Sequence, residues 1–239
     1  MIDIKETIGK RIEDKIKVEY AFQEISDVPE NANIPEDRVK PLGTGHALYS
    51  TRNIVKDSFA VISADDFYGK DAFLTLGNFL KNTTEYCLVG YKVGTTLTEN
   101  GSVKRGICFE KDGILQKITE SKVEKIDGVI NCESLDTGEK YTVAEDHPVT
   151  MLMYGLRPDI YEYMNKDIVK FFAEAKDLNT AEYFLPNILD NMMEEGLVVK
   201  VIPTTSTWKG MTYSSDVEEL QQHIKDLIAK GDYPENLWR

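Results

Sequence analysis

The chain has 239 residues, of which 41% are hydrophobic, so it holds enough apolar material for a large α/β core, and a disordered chain is excluded. Its 41 acidic residues outnumber its 28 basic residues, which gives a formal net charge of −13 at pH 7. This excess of negative charge excludes non-specific electrostatic binding to nucleic acid or to an anionic membrane. A phosphorylated ligand would therefore need a bound cation or a few basic residues at its binding site.

The first half of the chain predicts helices that alternate with strands. In chain order, the residue patterns predict a short charged helix over 3–15, a strand over 16–25, a long loop over 26–41, a helix opened by glycines from 43, a strand over 59–62 and a helix over 71–81. Such an alternation predicts a mainly parallel sheet with helices on both faces.

The second half changes character. Short strand-like runs between 85 and 143 are separated by Gly, Asn and Asp turns, and they predict antiparallel hairpins appended to the sheet. The remaining patterns predict a strand over 149–156, helices over 159–175 and 181–195, a strand over 197–206 and a final helix over 216–230. No repeat or linker divides the chain, so we predict one domain over residues 1–239.

The cysteines and the apolar runs indicate the cellular compartment of the protein. Cys87, Cys108 and Cys132 are odd in number and lack metal-ligand spacing, which predicts reduced residues in the core. No apolar run reaches the 18 residues of a membrane span, and the first 15 residues lack the apolar stretch of a signal peptide. We therefore predict a cytoplasmic protein with no membrane and no nucleic acid as partner.

Two adjacent acids, Asp65 and Asp66, come directly after the predicted strand 59–62. Adjacent like charges repel and desolvation is costly at the end of a buried strand, and a bound cation would offset both. Ligands of open α/β sheets collect beyond the carboxyl ends of the strands, and Mg²⁺ on substrate phosphates uses one or two protein carboxylates. The pair therefore predicts a metal-phosphate site, with a solvated turn capped by Asp66 as the alternative.

A glycine turn, "PLGTGHAL", opens the helix that begins near residue 43. Gly43 and Gly45 flank Thr44, and a turn of this kind allows a close backbone approach to an anion or to the edge of a base. The alternative is an ordinary glycine turn, with His46 as a packing or capping residue. Three basic residues are candidates for phosphate contact, with scattered surface charge as the alternative: Arg38, Lys40 and Arg105.

The segments "YAFQEI", "PLGTGHAL", "FAVISADDFYGK" and "TWKGMTYSSDVEEL" together resemble the bacterial sugar-1-phosphate nucleotidyltransferase family in order and spacing. The resemblance implies an α/β fold of the nucleotide-diphospho-sugar transferase type, Rossmann-like and three-layered, with a mainly parallel sheet and appended antiparallel hairpins. It also implies Mg²⁺-dependent transfer of a nucleotidyl group from an NTP to a sugar-1-phosphate or similar small phosphorylated acceptor, with release of pyrophosphate.

Carried over position by position, the resemblance assigns roles to seven residues. Gln23, Gly43 and Thr44 would contact the nucleobase, Asp65 would bind Mg²⁺ with Asp66 beside it as the catalytic pair, and Gly106 and Glu120 would contact the acceptor.

The chain also departs from the family pattern. The first strand and the glycine-rich loop would precede Met1, so we expect an N-terminally incomplete fold; Leu152 stands where related sequences tend to carry Asn, and Gly210 stands near the place of a second metal-ligating acid. We therefore expect a nucleotidyltransferase or a truncated form of one. Two alternatives stay open: a metal-dependent glycosyltransferase of similar fold, and a non-catalytic nucleotide-binding remnant. Association into a homo-oligomer through an exposed sheet edge also stays open.

Overall fold

The computed structural model describes residues 5–98, 101–210 and 214–236. The strands in these residues are β1 Phe59–Val61, β2 Asp66–Phe67, β3 Tyr86–Lys92, β4 Val103–Lys111, β5 Ile114–Ile126, β6 Val129–Ser134, β7 Lys140–Val143, β8 Pro148–Leu156, β9 Val199–Pro203 and β10 Lys209–Gly210. The helices are α1 Lys10–Ile12, α2 Thr44–Tyr49, α3 Lys70–Asn82, α4 Ile160–Glu174, α5 Leu185–Glu194 and α6 Ser214–Ala229. A π-helical turn, Lys5–Gly9, precedes α1, and a 3₁₀ turn, Val93–Thr96, follows β3.

The large sheet has the strand order β1-β8-β3-β9-β5-β6-β7, and β4 pairs with both β5 and β8. Strand β3 is parallel to β9, whereas β8 is antiparallel to its neighbours β1 and β3. Strands β1, β3 and β9 therefore share one direction. The other described pairs in this sheet are antiparallel.

The predicted α/β class is confirmed, but the sheet is not mainly parallel. Strand β8 follows β7 through a four-residue turn and enters the sheet between β1 and β3. The neighbours of β8 in the sheet, β1, β3 and β4, all lie far back in the chain, so no local turn sets its direction relative to them. Residue periodicity identifies β8 as a strand but carries no information on its direction.

Two hydrophobic cores cover the two faces of the sheet and make the predicted three layers. Along β3, Tyr86 and Leu88 pack into the core formed with α2, α4 and α5, and Cys87 and Val89 pack into the core formed with α3. This alternation follows from the period of two residues in a strand. The three cysteines are unpaired and buried, as predicted.

Most of the predicted helices and hairpin strands are present, but the predicted strand over 16–25 is wrong. Residues 17–24 have no regular secondary structure and pair with no described strand. Ile16 is 61% exposed and Phe22 is 76% exposed, whereas Ile25 packs against the core without joining the sheet. An alternating pattern becomes a strand only where a partner satisfies its backbone groups. No helix in the described residues is both long and apolar enough to cross a bilayer.

The C-terminal ends of β1, β3 and β9 lie at one edge of the sheet, together with the first half of β8. The segments that leave this edge are 62–66, 93–102 and 204–208. Open α/β sheets bind their ligands at such an edge. The candidate site is therefore built there.

Candidate functional site

The acidic turn after β1 is tied to β8 by a buried phenol. The Tyr68 hydroxyl accepts a hydrogen bond from the Ser63 backbone N–H at 2.9 Å. Its own proton lies between the Met151 carbonyl oxygen at 3.0 Å and Asp66 Oδ2 at 3.2 Å. Burial raises the pKa of Tyr68 to about 12, so the phenol stays protonated. The position of the turn is thus set by the sheet.

The two acids of this turn differ in environment. Asp65 is exposed, and its carboxylate forms no hydrogen bond or ion pair with the described residues. Asp66 is half-buried, and this burial raises the pKa of its carboxyl, while the nearby Trp208 indole opposes the shift and the Asp65 charge adds to it. Asp65 is therefore the carboxylate available to an external cation.

Gly210 stands opposite Asp66 in the β2–β10 pair. A Cβ atom at Gly210 would lie 3.4 Å from Asp66 Oδ1, so a residue with a side chain at this position would face the carboxylate directly. Because the residue is glycine, this position supplies no second acid. Across the described ranges, no three His, Cys, Asp or Glu side chains are grouped to hold a metal ion. Two adjacent carboxylates still fit Mg²⁺ held chiefly by substrate phosphates, because such ions take only one or two protein ligands.

Gln23 and Gly43 are brought together although 20 residues separate them. Gln23 Nε2 donates a hydrogen bond to the Gly43 carbonyl oxygen at 2.9 Å, and the Gln23 side chain is exposed. Both were assigned to the nucleobase by the resemblance. The contact holds the Gln23 amide at the start of α2.

The glycines of this turn are explained by packing against residue 183. Gly43 has φ 97°, and a Cβ atom there would lie 2.6 Å from the Tyr183 carbonyl oxygen. The Gly45 N–H donates to the same oxygen at 2.8 Å, so it is not available to an anion. Thr44 Oγ1 accepts from the Leu185 N–H at 3.1 Å. Packing against residue 183 thus accounts for both glycines, and sequence reasoning did not identify the segment 183–185 as the partner of the turn.

An apolar groove of about 410 Å³ joins the glycine turn to the end of β1. Its lining includes Thr44, Val61, Ser63, Leu152 and Leu185. Thr44, one of the nucleobase candidates, and the segment that leads into Asp65 therefore face one concavity.

Leu152 stands in this groove with a left-handed backbone, φ 58°, in the middle of β8. The pairing register of β8 with β3 shifts at this point. A non-glycine residue in this region costs about 1–3 kcal/mol, and such strain is concentrated at functional sites. The sequence marks Leu152 as a departure from the family, but only the structure shows the strain.

The acceptor candidates Gly106 and Glu120 are direct partners in the β4–β5 pair, and Gly106 also pairs with Thr150 on β8. A Cβ atom at Gly106 would lie 2.9 Å from Glu120 Oε1 and 2.7 Å from Thr150 Cγ2. The Glu120 side chain is accessible to solvent, yet surrounding protein atoms raise the pKa of its carboxyl. The glycine at 106 therefore leaves room for the Glu120 carboxylate and the Thr150 side chain beside it.

Arg105 lies between the acidic turn and Glu120. Its Nε atom donates to Thr96 Oγ1 at 3.1 Å, and its guanidinium carbon is 5.0 Å from the centre of the Trp208 ring. Burial lowers the pKa of Arg105 to about 10, and the charges of Asp66 and Glu120 oppose that shift. Among the three predicted basic candidates, Arg105 is the one at this edge of the sheet.

Arg38 does not face a phosphate site, so this interpretation was wrong. The residue is only 5% exposed, and its guanidinium donates at 2.5–2.9 Å to four carbonyl oxygens, those of Lys40, Pro41, Leu178 and Ala181. With its donors used in this way, Arg38 anchors the loop before α2 to the segment after α4. Lys40 forms an ion pair with Glu182 at 3.1 Å.

We expect Arg38→Ala to lower the free energy of unfolding by about 2–3 kcal/mol, because it leaves enclosed carbonyl oxygens without donors. Lys40→Ala is the matched control, since it removes a partly exposed ion pair and should cost less than about 1 kcal/mol. Urea denaturation followed by circular dichroism measures both. Equal losses in the two variants would contradict this role of Arg38.

His46 is a packing residue, as predicted. It is fully buried, and its Nε2 atom lies 2.8 Å from the Asp27 carbonyl oxygen. Asp27 also forms an ion pair with Arg52 at 2.6 Å. These contacts hold Asp27, at the start of the long loop and close in sequence to Gln23, against His46 of α2 and against Arg52.

The burial of His46 predicts a loss of stability in mild acid. Burial lowers the pKa of His46 below its usual 6.5, while the contact with the Asp27 carbonyl opposes the shift. The unfolded chain then binds a proton near pH 6.5 that the folded chain does not, so the stabilisation is complete above this pH and is lost as the pH falls. One such group changes the free energy of unfolding by at most about 1.4 kcal/mol per pH unit.

The measurement is urea denaturation at several pH values between 7.5 and 5. His46→Gln should reduce the slope of stability against pH, whereas His223→Gln, at a more exposed position, should reduce it less. An unchanged slope in His46→Gln would count against this assignment. Slopes are compared because the substitution also alters packing at all pH values.

The similarity to solved structures concerns the whole architecture. The inositol-1-phosphate CTP transferase from T. maritima superposes with a TM-score of 0.50 at 15% sequence identity, over 77% of this chain and 63% of that chain. The chain has the fold of this transferase. It thus spans less than two thirds of the transferase's length. No family model matches the chain, and no curated protein matches it by sequence.

Two other solved structures are similar to a lower degree than the T. maritima transferase. A Bacillus anthracis protein provisionally assigned as a glucose-1-phosphate thymidylyltransferase gives a TM-score of 0.49 at 11% identity, over 81% of this chain and 64% of that chain. The UTP-bound UGPase from Acinetobacter baumannii gives 0.46 at 15% identity, over 82% of this chain and 59% of that chain.

Proposed function

We propose that this protein binds a nucleoside triphosphate and a small phosphorylated acceptor at the shared edge of β1, β3 and β9, and transfers a nucleotidyl group between them. Gln23, Gly43 and Thr44 contact the nucleobase. Asp65, with Asp66 beside it, binds the Mg²⁺ ion that accompanies the triphosphate. Gly106 and Glu120 contact the acceptor.

The observation that carries this proposal is the convergence of distant segments. Gln23 contacts Gly43, and Thr44 shares a groove with the segment that leads into Asp65. Arg105 lies near both Asp66 and Glu120. Residues from four separate parts of the chain thus line one edge of the sheet, which is where ligands of α/β folds bind.

The reaction requires little covalent chemistry from the protein. An oxygen of the acceptor phosphate forms a bond to the α-phosphorus of the triphosphate, and the bond from that phosphorus to the bridging oxygen breaks, so pyrophosphate leaves. The attacking oxygen is already ionised, and no general base is needed. The protein's part is to orient two phosphorylated molecules, which raises their effective concentration.

Mg²⁺, when bound, screens the two anions from each other and offsets charge on the leaving group. In this role Asp65 is the exposed carboxylate that faces the ion, and Asp66 is held in place by Tyr68. Arg105 adds a positive charge on the acceptor side of the turn.

The test is an exchange assay with labelled pyrophosphate on the full chain in the presence of Mg²⁺. The four common NTPs are each combined with a panel of phosphorylated sugars, polyols and amino alcohols. We expect label to enter one NTP in the presence of its matching acceptor.

Failure of every combination, together with no Mg²⁺-dependent NTP binding by calorimetry, would overturn the proposal. Cleavage of a nucleotide sugar to the nucleoside diphosphate and free sugar, without pyrophosphate chemistry, would instead indicate a glycosyltransferase. NTP binding without exchange would indicate a nucleotide-binding protein that does not catalyse.

A further inference from the structure

A second polar cluster lies behind the acceptor candidates, and the sequence analysis assigned most of it no role. It consists of the carboxylates of Glu120 on β5 and Asp190 on α5, and the hydroxyls of Thr150 and Tyr154 on β8. Glu120 and Thr150 flank Gly106 on neighbouring strands. Helix α5 packs on β5 and contributes its apolar face to the core that contains Tyr154.

The two hydroxyls of this cluster lack hydrogen-bond partners. Tyr154 is fully buried and Thr150 is 6% exposed, and neither hydroxyl forms a hydrogen bond within the described part of the chain. A buried hydroxyl without a partner loses its hydration and gains nothing in return. Burial raises the pKa of Tyr154, while the neighbouring Thr150 hydroxyl opposes the shift and the charges of Cys108, Glu120 and Asp190 add to it. Tyr154 lies in the core on the face of the sheet that α5 covers.

The two carboxylates are likewise unpaired. Neither the Glu120 nor the Asp190 side chain forms a hydrogen bond or an ion pair with the described residues. Burial raises the pKa of Asp190 to about 6, and the charges of Glu194 and Glu120 add to the shift while Lys117 opposes it.

The basic residues whose charges act on these carboxylates, Arg105, Lys104 and Lys117, form no hydrogen bond or ion pair with them in the described part of the chain. The Arg105 charge favours the ionised form of Glu120. Its guanidinium N–H groups, however, donate to Thr96 and to the Lys104 carbonyl oxygen. Arg105 therefore offsets part of the negative charge of Glu120 without donating a hydrogen bond to the Glu120 carboxylate oxygens.

We infer that this cluster binds a primary ammonium group of the phosphorylated acceptor. An ammonium has three N–H donors and no acceptor, which matches two carboxylates and a hydroxyl oxygen that all lack donors. Its positive charge also relieves the repulsion between the exposed Glu120 and the half-buried Asp190, which a neutral hydroxyl would leave in place. The inference rests on the proposed function, since it specifies the acceptor of the same site.

Other cations fit the cluster less well. A quaternary ammonium has no N–H donor and is recognised by aromatic faces, whereas the cluster offers oxygen atoms. A metal ion held by protein side chains alone would need more ligands than these, and the described residues contain no group of three acidic, His or Cys side chains suited to one.

The test compares two isosteric ligands, phosphoethanolamine and 2-hydroxyethyl phosphate, by calorimetry on the full chain with Mg²⁺. We expect the amine to bind at least tenfold more tightly than the alcohol. Asp190→Asn and Glu120→Gln should each reduce this preference, measured as the ratio of the two affinities, at least fivefold. Glu162→Gln, an equal charge change on an exposed face of α4, is the control and should keep the preference.

Equal affinities for the two ligands, binding of neither, or a preference unaffected by Asp190→Asn and Glu120→Gln would overturn the inference. Pyrophosphate exchange measured in parallel separates this result from the proposed function. Exchange supported by hydroxyl-bearing acceptors and not by amines would leave the function standing and reject the ammonium site. A preference for the amine without exchange would support the ammonium site and count against the proposed function.

Discussion

Replacing Asp65 by asparagine should lower the rate of nucleotidyl transfer by about 10²- to 10³-fold, the usual loss when one preorganised electrostatic contact to the reacting group is removed. Asn keeps the shape of the side chain but removes the charge that would hold Mg²⁺. Because Asp65 is exposed and forms no described side-chain contact, the fold should be unaffected. The rate of pyrophosphate exchange and the Mg²⁺ concentration for half-maximal rate measure the effect.

The matched control is Asp57→Asn. Asp57 is also exposed, but it precedes β1 and so lies at the opposite end of the strand from the acidic turn. The Asp57→Asn substitution changes the net charge by the same amount as Asp65→Asn. It should leave the rate within about twofold of that of the unchanged protein, since long-range effects of exposed charges are screened. A full rate in Asp65→Asn, or an equal loss in Asp57→Asn, would reject the role given to Asp65.

Gly43→Ala should lower the free energy of unfolding by about 3–4 kcal/mol, more than a typical point substitution. The backbone of Gly43, with φ 97° and ψ 174°, lies in a region that essentially only glycine adopts. The added Cβ atom would also lie 2.6 Å from the Tyr183 carbonyl oxygen and 2.9 Å from its backbone nitrogen. These are backbone atoms, so a rotamer change cannot relieve the overlap.

Gly77→Ala is the control for a Gly-to-Ala change as such. Gly77 lies within α3, and a Cβ atom there would have no neighbour within 4 Å. Alanine in a helix interior is better than glycine by about 0.5–1 kcal/mol, so this variant should be more stable than the parent. In a chain of this size, Gly43→Ala should lower the melting temperature by about 6–16 °C, and differential scanning calorimetry measures both shifts. A melting temperature of Gly43→Ala near that of the parent would show that the turn can move away from residue 183.

The local patterns predicted much of the secondary structure. Glycine and asparagine turns separated the strands that became the hairpins β4 to β7, and the helical pattern over 71–81 matches α3, because turn chemistry and side-chain periodicity act over a few residues. The family resemblance also led to the acidic turn and to Gln23, which lies against Gly43 in the structure. Their assignment as functional groups stays a prediction.

The predictions that were wrong concern residues whose structure depends on contacts with distant segments of the chain. The segment 16–25 alternates like a strand but has no described partner, and Arg38 looked like a surface cation but is buried among carbonyl oxygens. Neither result can be read from neighbouring residues, because both depend on segments far away in the chain. For Arg38 these are the carbonyls near residues 178 and 181.

The sequence by itself determined the α/β class, the buried unpaired cysteines and the acidic turn after β1, since each depends on composition or on a short run of residues. The direction of β8, the left-handed backbone of Leu152 and the packing of α5, which carries Asp190, on β5, which carries Glu120, depend on the tertiary structure. The physical reason is that strand direction, backbone strain and charge proximity are set by packing between elements many residues apart, whereas periodicity and turn chemistry are set within each element.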